Sequence, residues 1–156
     1  MIKECELFHM LQKISFQIIC KNKKYPSEKE MKQWIKAAFP PKKSMQLNVR
    51  LVTPKEIQNL NRIYRGKNKT TDILSFPFQT PKTLKSNFKG DIVLCPTEVN
   101  FAAKKQKKNL KAHWAHLLVH GTLHLLDFEH DTVDGARKMM SHEIKILNSF
   151  GIPNPY

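Results

Sequence analysis

The stretch from His116 to Asp131 reads HLLVHGTLHLLDFEHD. Its leucines make it apolar enough to be buried. That burial constrains the fold more than any other feature, because the same segment carries four imidazoles. His120 and His124 are four residues apart, so on a helix both rings project from one face. His130 follows six residues later, far enough for the chain to leave the helix and fold a third ring back. An isolated buried histidine is usually a core residue with hydrogen-bonded ring nitrogens, and one H-x3-H pair arises easily by chance. Four imidazoles in one apolar segment, each with a polar ring to satisfy, favour a shared purpose. The pattern H-x3-H-x5-H brings three nitrogens to one point and leaves a fourth position for water or substrate, as in catalytic zinc centres. One residue limits the chemistry. Metallopeptidases with paired helical histidines carry Glu directly after the first as general base, and here that place is Gly121.

Hydrophobic residues make up 40% and charged residues 26% of the 156, the balance of one globular domain with a sizeable core. The excess of 27 Lys+Arg over 13 Asp+Glu, a net +14, suits a polyanionic partner such as RNA. Most of the excess is lysine, which AT-rich coding also inflates, so charge by itself does not choose the partner. Cys5, Cys20 and Cys95 are odd in number and lack metal-ligand spacing, which argues against a disulfide framework and for a reducing compartment. Glu4, Glu6 and His9 interrupt any signal-peptide core, and no apolar run reaches membrane-spanning length. A cytoplasmic protein without a membrane partner is expected.

Along the chain, alternation predicts strands over Ile14–Ile18 and Met45–Leu51, a third from Thr71 to Phe76, and a fourth over Gly90–Leu94. Pro77 puts the third at an edge or bulge. Ser27 to Glu30 is a capping box opening a helix with Met31, Trp34, Ile35 and Ala38 inward, stopped by Pro40 and Pro41. Thr53 to Glu56 is a second box, with Pro54 at the first helical position, and its helix buries Ile57, Leu60 and Ile63 before Gly66 ends it. Gln79 to Lys89 reads as a polar loop. Thr97 is expected to cap a helix carrying Lys104, Lys105, Lys107 and Lys108 outward. A longer helix runs from about Leu110 to Leu126 and carries the histidines. The last spans roughly Val133 to Phe150, with Ala136, Met140, Ile144 and Leu147 inward. The fold expected is a single α+β domain over 13–156, about four strands in a mixed sheet packed with helices. The three-histidine site lies on a buried helix and the loop after it, and 1–12 form an N-terminal extension.

The segment His120 to His130 resembles the signature of the YbeY family of metal-dependent endoribonucleases, H-G-x-L-H-L-x-G-[YF]-D-H. The three histidines, Gly121, Leu123, Leu125 and Phe128 fit it; Asp127 stands where the family has Gly and Glu129 where it has Asp. The Gly ordinarily ends the helix in a left-handed conformation, which Asp tolerates better than most residues. Further matches are Tyr64 to Lys67, Thr71 to Pro77, Gly90 to Ile92, Ala112 to His116 and the Pro-Tyr ending.

The resemblance implies a zinc-dependent endoribonuclease that prefers single strands. It would act in ribosomal RNA processing, at the 3′ end of 16S rRNA, and in ribosome quality control. Its partners would be ribosomal RNA and the ribosome or its small subunit, with no DNA expected. It also implies one Zn2+ per chain on His120, His124 and His130, and a catalytic Arg65 that pairs with charge developing on the phosphate. Zinc on three neutral imidazoles lowers the pKa of a bound water to about 7 and polarises a phosphoryl oxygen. His116 is one turn before His120 and is either an alternative ligand or, as we prefer, a contact to a ligand or to substrate. Glu129, Asp131 and Asp127 are candidates for orienting a ligand or moving a proton. Lys104, Lys105, Lys107 and Lys108 either hold RNA or form a solvated helix face. Metal hydroxide and a ribose 2′-OH both remain open as nucleophile. Two rival readings stand beside this one: a metallopeptidase-type hydrolase, and a non-catalytic ribosome assembly factor with a structural metal.

Overall fold

The structure is a computed structural model that describes residues 12–81 and 83–156. The N-terminal extension, Cys5 included, lies almost wholly outside the described residues. Four strands, β1 (Gln12–Ile18), β2 (Met45–Leu51), β3 (Ile73–Pro77) and β4 (Phe88–Leu94), form one sheet in the order β1-β2-β4-β3. β1 and β4 run parallel to β2, and β3 closes the edge antiparallel to β4, with Pro77 opposite Gly90. Both ends of β3 differ from the sequence expectation. It starts two residues later than Thr71 and takes in Pro77, which an edge strand can hold because its missing N–H breaks no interior ladder. β4 likewise begins at Phe88, inside the expected loop.

Five helices complete the domain: α1 (Glu28–Ala38), α2 (Pro54–Arg65), α3 (Pro96–Lys105), α4 (Leu110–Leu125) and α5 (Val133–Asn148). The larger core lies on one sheet face, where Leu47, Val49, Leu51, Ile92 and Leu94 meet Trp34, Ile35, Trp114, Leu118 and Leu123. α4 is the central helix of that layer and packs on β3, β4, α1, α3 and α5. Its sequence is apolar nearly all round, as a helix enclosed by neighbours requires. On the other face a smaller cluster of Val52, Ile57, Leu74, Val93 and Cys95 seats α2.

Four local expectations need correction. Ser27 and Glu30 form the full capping box, but Thr53 forms only half of one. The Glu56 carboxylate instead takes a hydrogen bond of 2.6 Å from Arg50 Nη2. Ile63 is 54% exposed and Leu60 only half-buried, because Asn61 occupies the inward position and its amide donates to the Lys69 carbonyl. α3 begins at Pro96 with Cys95 as its cap and no side-chain bond, so Thr97 is already inside the helix; Lys107, at φ 52°, and Lys108 lie in the turn beyond it. On α5 the buried residues are Met139, Glu143 and Leu147, and Met140 is 36% exposed. The inward stripe therefore passes through a carboxylate.

A candidate metal centre beside a basic cleft

α4 delivers His120 and His124 side by side, with their Nε2 atoms 3.0 Å apart. The helix ends where Asp127 takes φ 66°. Its N–H donates to the His124 carbonyl and that of Phe128 to the Leu123 carbonyl. These are the two bonds of a Schellman turn, with Asp in the place usually held by Gly. The reversal sends 128–131 back across the helix end, and His130 comes to rest with its ring centre 4.8 Å from that of His124. Gly135 permits the close approach, since a Cβ there would meet the Glu129 carbonyl oxygen at 2.6 Å. One nitrogen from each of the three rings lies within 4.8 Å of the others, a spacing that could hold a metal ion.

A carboxylate that sequence reasoning missed stands behind this group. Glu143 is fully buried, and its Oε1 accepts a bond of 2.5 Å from His120 Nδ1. Since a carboxylate only accepts, Nδ1 carries the proton and the lone pair of His120 is on Nε2, facing the other rings. The Tyr156 hydroxyl donates to Glu143 Oε2. His116 Nε2 lies 3.3 Å from that hydroxyl and 3.6 Å from Oε2. His116, His120 and Glu143 also satisfy the spacing of a metal group. Here, though, direct hydrogen bonds already join the carboxylate to its neighbours, so the arrangement suits support of His120. Burial pushes the Glu143 carboxyl up, but the bonds from His116, His120 and Tyr156 outweigh it and hold it at about 2. Burial, with His120 and His130 close by, pushes His124 down and keeps it neutral, as a metal ligand must be. Burial and Glu143 both raise Tyr156, which stays a donor. The donor set fits a zinc-type ion: three imidazoles converge, one is oriented from behind by a carboxylate, and the fourth direction opens to a cleft.

That cleft encloses about 1130 Å³ and is lined by all three histidines, Asp127, Glu129 and Asp131, with Arg65, Lys67, Lys69 and Lys89 among the residues opposite. Arg65 is the last residue of α2, and Gly66 at φ 67° turns the chain away. Its Nη2 donates to the Ser75 carbonyl on the outer edge of β3 at 3.0 Å, which ties the guanidinium to the cleft wall. His130 and Asp131 are exposed, with His130 Nδ1 and Asp131 Oδ1 3.8 Å apart. Of the residues expected from the sequence, His116 joins the buried support, and Arg65, Glu129 and Asp131 join the cleft. Lys104, Lys105, Lys107 and Lys108 are exposed but do not line it.

Gly121 marks where α4 presses on the sheet. A Cβ there would lie 3.0 Å from Ile73 Cδ1, 3.1 Å from Ser75 Oγ and 3.4 Å from Ile92 Cγ2. The position that carries the general base in helical metallopeptidases is therefore crowded by side chains of β3 and β4.

A family model described as endoribonuclease YbeY matches residues 17–151. An endoribonuclease YbeY from Colwellia psychrerythraea (strain 34H / ATCC BAA-681) is 40% identical over 152 residues, which cover 94% of this chain and 98% of the relative. A solution structure of a Thermotoga maritima protein superposes with a TM-score of 0.56 at 22% identity, over 88% of this chain and 91% of that one. The last likeness speaks for the fold.

Proposed function

The chain belongs to the YbeY family of endoribonucleases and is a nuclease that hydrolyses RNA; from that premise we propose that it is a zinc-dependent enzyme acting on single-stranded segments of ribosomal RNA. The substrates are proposed to include the 3′ end of 16S rRNA, met on the ribosome or its small subunit in the cytoplasm. The observation that carries the reading is the convergence of His120, His124 and His130 at the wall of a cleft whose other charged groups include Arg65, Lys67, Lys69 and Lys89. No helix among the described residues is long and apolar enough to cross a membrane.

Zinc, when bound, supplies a Lewis acid for a phosphoryl oxygen and makes deprotonated water available near neutral pH. The chain's own groups do the rest. His120, His124 and His130 would hold the ion through one ring nitrogen each. Glu143 fixes the tautomer of His120 and, with Tyr156 and His116, prevents its ring from turning. Arg65, anchored on Ser75, offers guanidinium N–H groups to a phosphate whose negative charge grows as the phosphodiester is cleaved. Glu129 and Asp131 border the reaction space as candidate proton carriers. The lysines hold the strand. The test is metal content measured together with cleavage of a ribosomal RNA fragment, for wild type, His120→Ala and His124→Ala. About one zinc per chain and cleavage in the wild type, with both lost in the variants, is expected. Stoichiometric zinc with undiminished cleavage in either variant would refute the assignment.

A further inference from the structure

Phe78 is the large exposed hydrophobic residue that lines the cleft: it is 49% exposed, and other such side chains, including Tyr64, Leu84 and Phe101, lie outside the lining. An aromatic ring left half in water within a polar cleft needs a reason. It is not there through slack. The Phe78 N–H donates to the Lys89 carbonyl at 2.9 Å, one step beyond the last β3–β4 pair. The Phe88 ring meets it edge-on, with centres 5.2 Å apart and planes at 61°. Gly90 lets the strands close around it, since a Cβ at Gly90 would sit 2.1 Å from the Phe76 carbonyl oxygen and 2.9 Å from the Phe78 nitrogen. Phe78 is thus anchored through its backbone and one aromatic neighbour while half of its surface stays open to solvent. Arg65, Lys67, Lys69 and Lys89 line the same cleft.

A held aromatic face beside a row of cations is the arrangement that binds single-stranded nucleic acid, with bases stacked on rings and phosphates met by cations. A base within a duplex already has both faces covered by its neighbours, so only an unpaired base can use such a ring. We propose that Phe78 is the stacking platform for one unpaired nucleobase of the substrate strand, with the flanking phosphates held by Lys67, Lys69 and Lys89. The assignment rests on the single-strand endoribonuclease reading and gives it a physical origin. Selectivity would come from the platform and not from the reacting centre.

The experiment compares kcat/KM on short single-stranded oligoribonucleotides of one sequence, in which an abasic nucleotide is moved along the strand position by position. Wild type should lose roughly 10- to 100-fold at one position, the range that one stacked base contributes. Phe78→Ala should show a similar loss on the intact oligomer and a flat positional profile. Phe78→Trp should restore both. Melting temperature and metal content are measured on every preparation. If the Ala variant fails to fold, Phe78→Leu decides: a flattened profile supports the platform, and a wild-type profile overturns it. A Phe78→Ala protein with wild-type kcat/KM and profile would also overturn the proposal, as would a wild type that tolerates the abasic nucleotide at every position. Failure of the wild type to cut any single-stranded oligomer is a different result, and it would refute the single-strand reading beneath the proposal.

Discussion

The two sides of the histidine group are built in opposite ways. Behind His120 one carboxylate is enclosed and satisfied: Glu143 is fully buried and takes bonds from His120 and from Tyr156, which itself reaches the surface, with half-buried His116 against the same carboxylate. In front of it the groups are exposed and loosely partnered, with His130, Asp131, Arg65 and the cleft lysines open to solvent. A buried carboxylate is held in place because any rearrangement that leaves it without partners costs several kcal/mol. An open cationic surface is adaptable because water replaces any lost partner. The rear therefore sets geometry, and the front meets a flexible polyanion.

Perturbing each side separately should give different signatures. The largest effect belongs to the front. Arg65→Ala should slow single-turnover cleavage about 10²–10³-fold with zinc content and melting temperature unchanged, and Arg65→Lys should restore only part, since an ammonium lacks the two-pronged donor pattern. A slow variant that has also lost zinc would move Arg65 to the structural side of the comparison.

Changes at the rear should appear first in metal affinity. Glu143→Gln and Tyr156→Phe should weaken zinc binding about 10- to 100-fold in a chelator competition, with little change in affinity for RNA once zinc is saturating. Acid stability of the metal-free protein gives a second reading. The Glu143 carboxyl is depressed from its ordinary 4.5 to about 2, so its contribution is complete above about pH 4.5 and is lost as pH falls through 2. Glu143→Gln should flatten the stability curve over that window. An unchanged curve would mean that the ionised carboxylate contributes nothing to folding.

Salt dependence sharpens the picture of the front. Replacing Lys67, Lys69 and Lys89 by Gln should reduce the slope of log affinity against log salt by about 2, at roughly 0.7 per phosphate contact on a single strand. The parallel replacement of Lys104, Lys105, Lys107 and Lys108 asks whether the footprint extends past the cleft to the end of α3; a retained slope makes that run a solvated face. The smallest effect is expected at the helix end. Asp127→Gly should stabilise the protein by about 1 kcal/mol or less in denaturant unfolding, by relieving the cost of a left-handed L-residue. Destabilisation would show that the Asp side chain contributes more than its backbone costs.

The front half of the site was the legible half. His120 and His124 announce themselves by helical spacing, and the turn through Asp127 follows from the family resemblance and the tolerance of Asp for a left-handed φ. The four strands and five helices follow from period and caps. Glu143 was hidden because α5 offers two readable apolar stripes, and Ala136, Met140 and Ile144 look the better one. The available signal was the i, i+4, i+8 series Met139, Glu143, Leu147, a lone carboxylate between apolar residues on one face. Pairing across the sheet also lay outside local pattern. Nothing in the strand sequences alone says that β4 inserts between β2 and β3, yet that order puts β3 at the edge, where Ser75 can receive Arg65.

Gly121 has a consequence for descent. Because its missing side chain faces Ile73, Ser75 and Ile92, a glutamate acquired there would crowd the side chains of β3 and β4. Making room would require those side chains to give way in the contact between α4 and the sheet. The first mutational step from this site toward a helical metallopeptidase is therefore opposed by packing. Neighbouring sequences that retain stability must keep the position small. The cleft rim, which includes residues of the β3–β4 connection, carries no such constraint from α4.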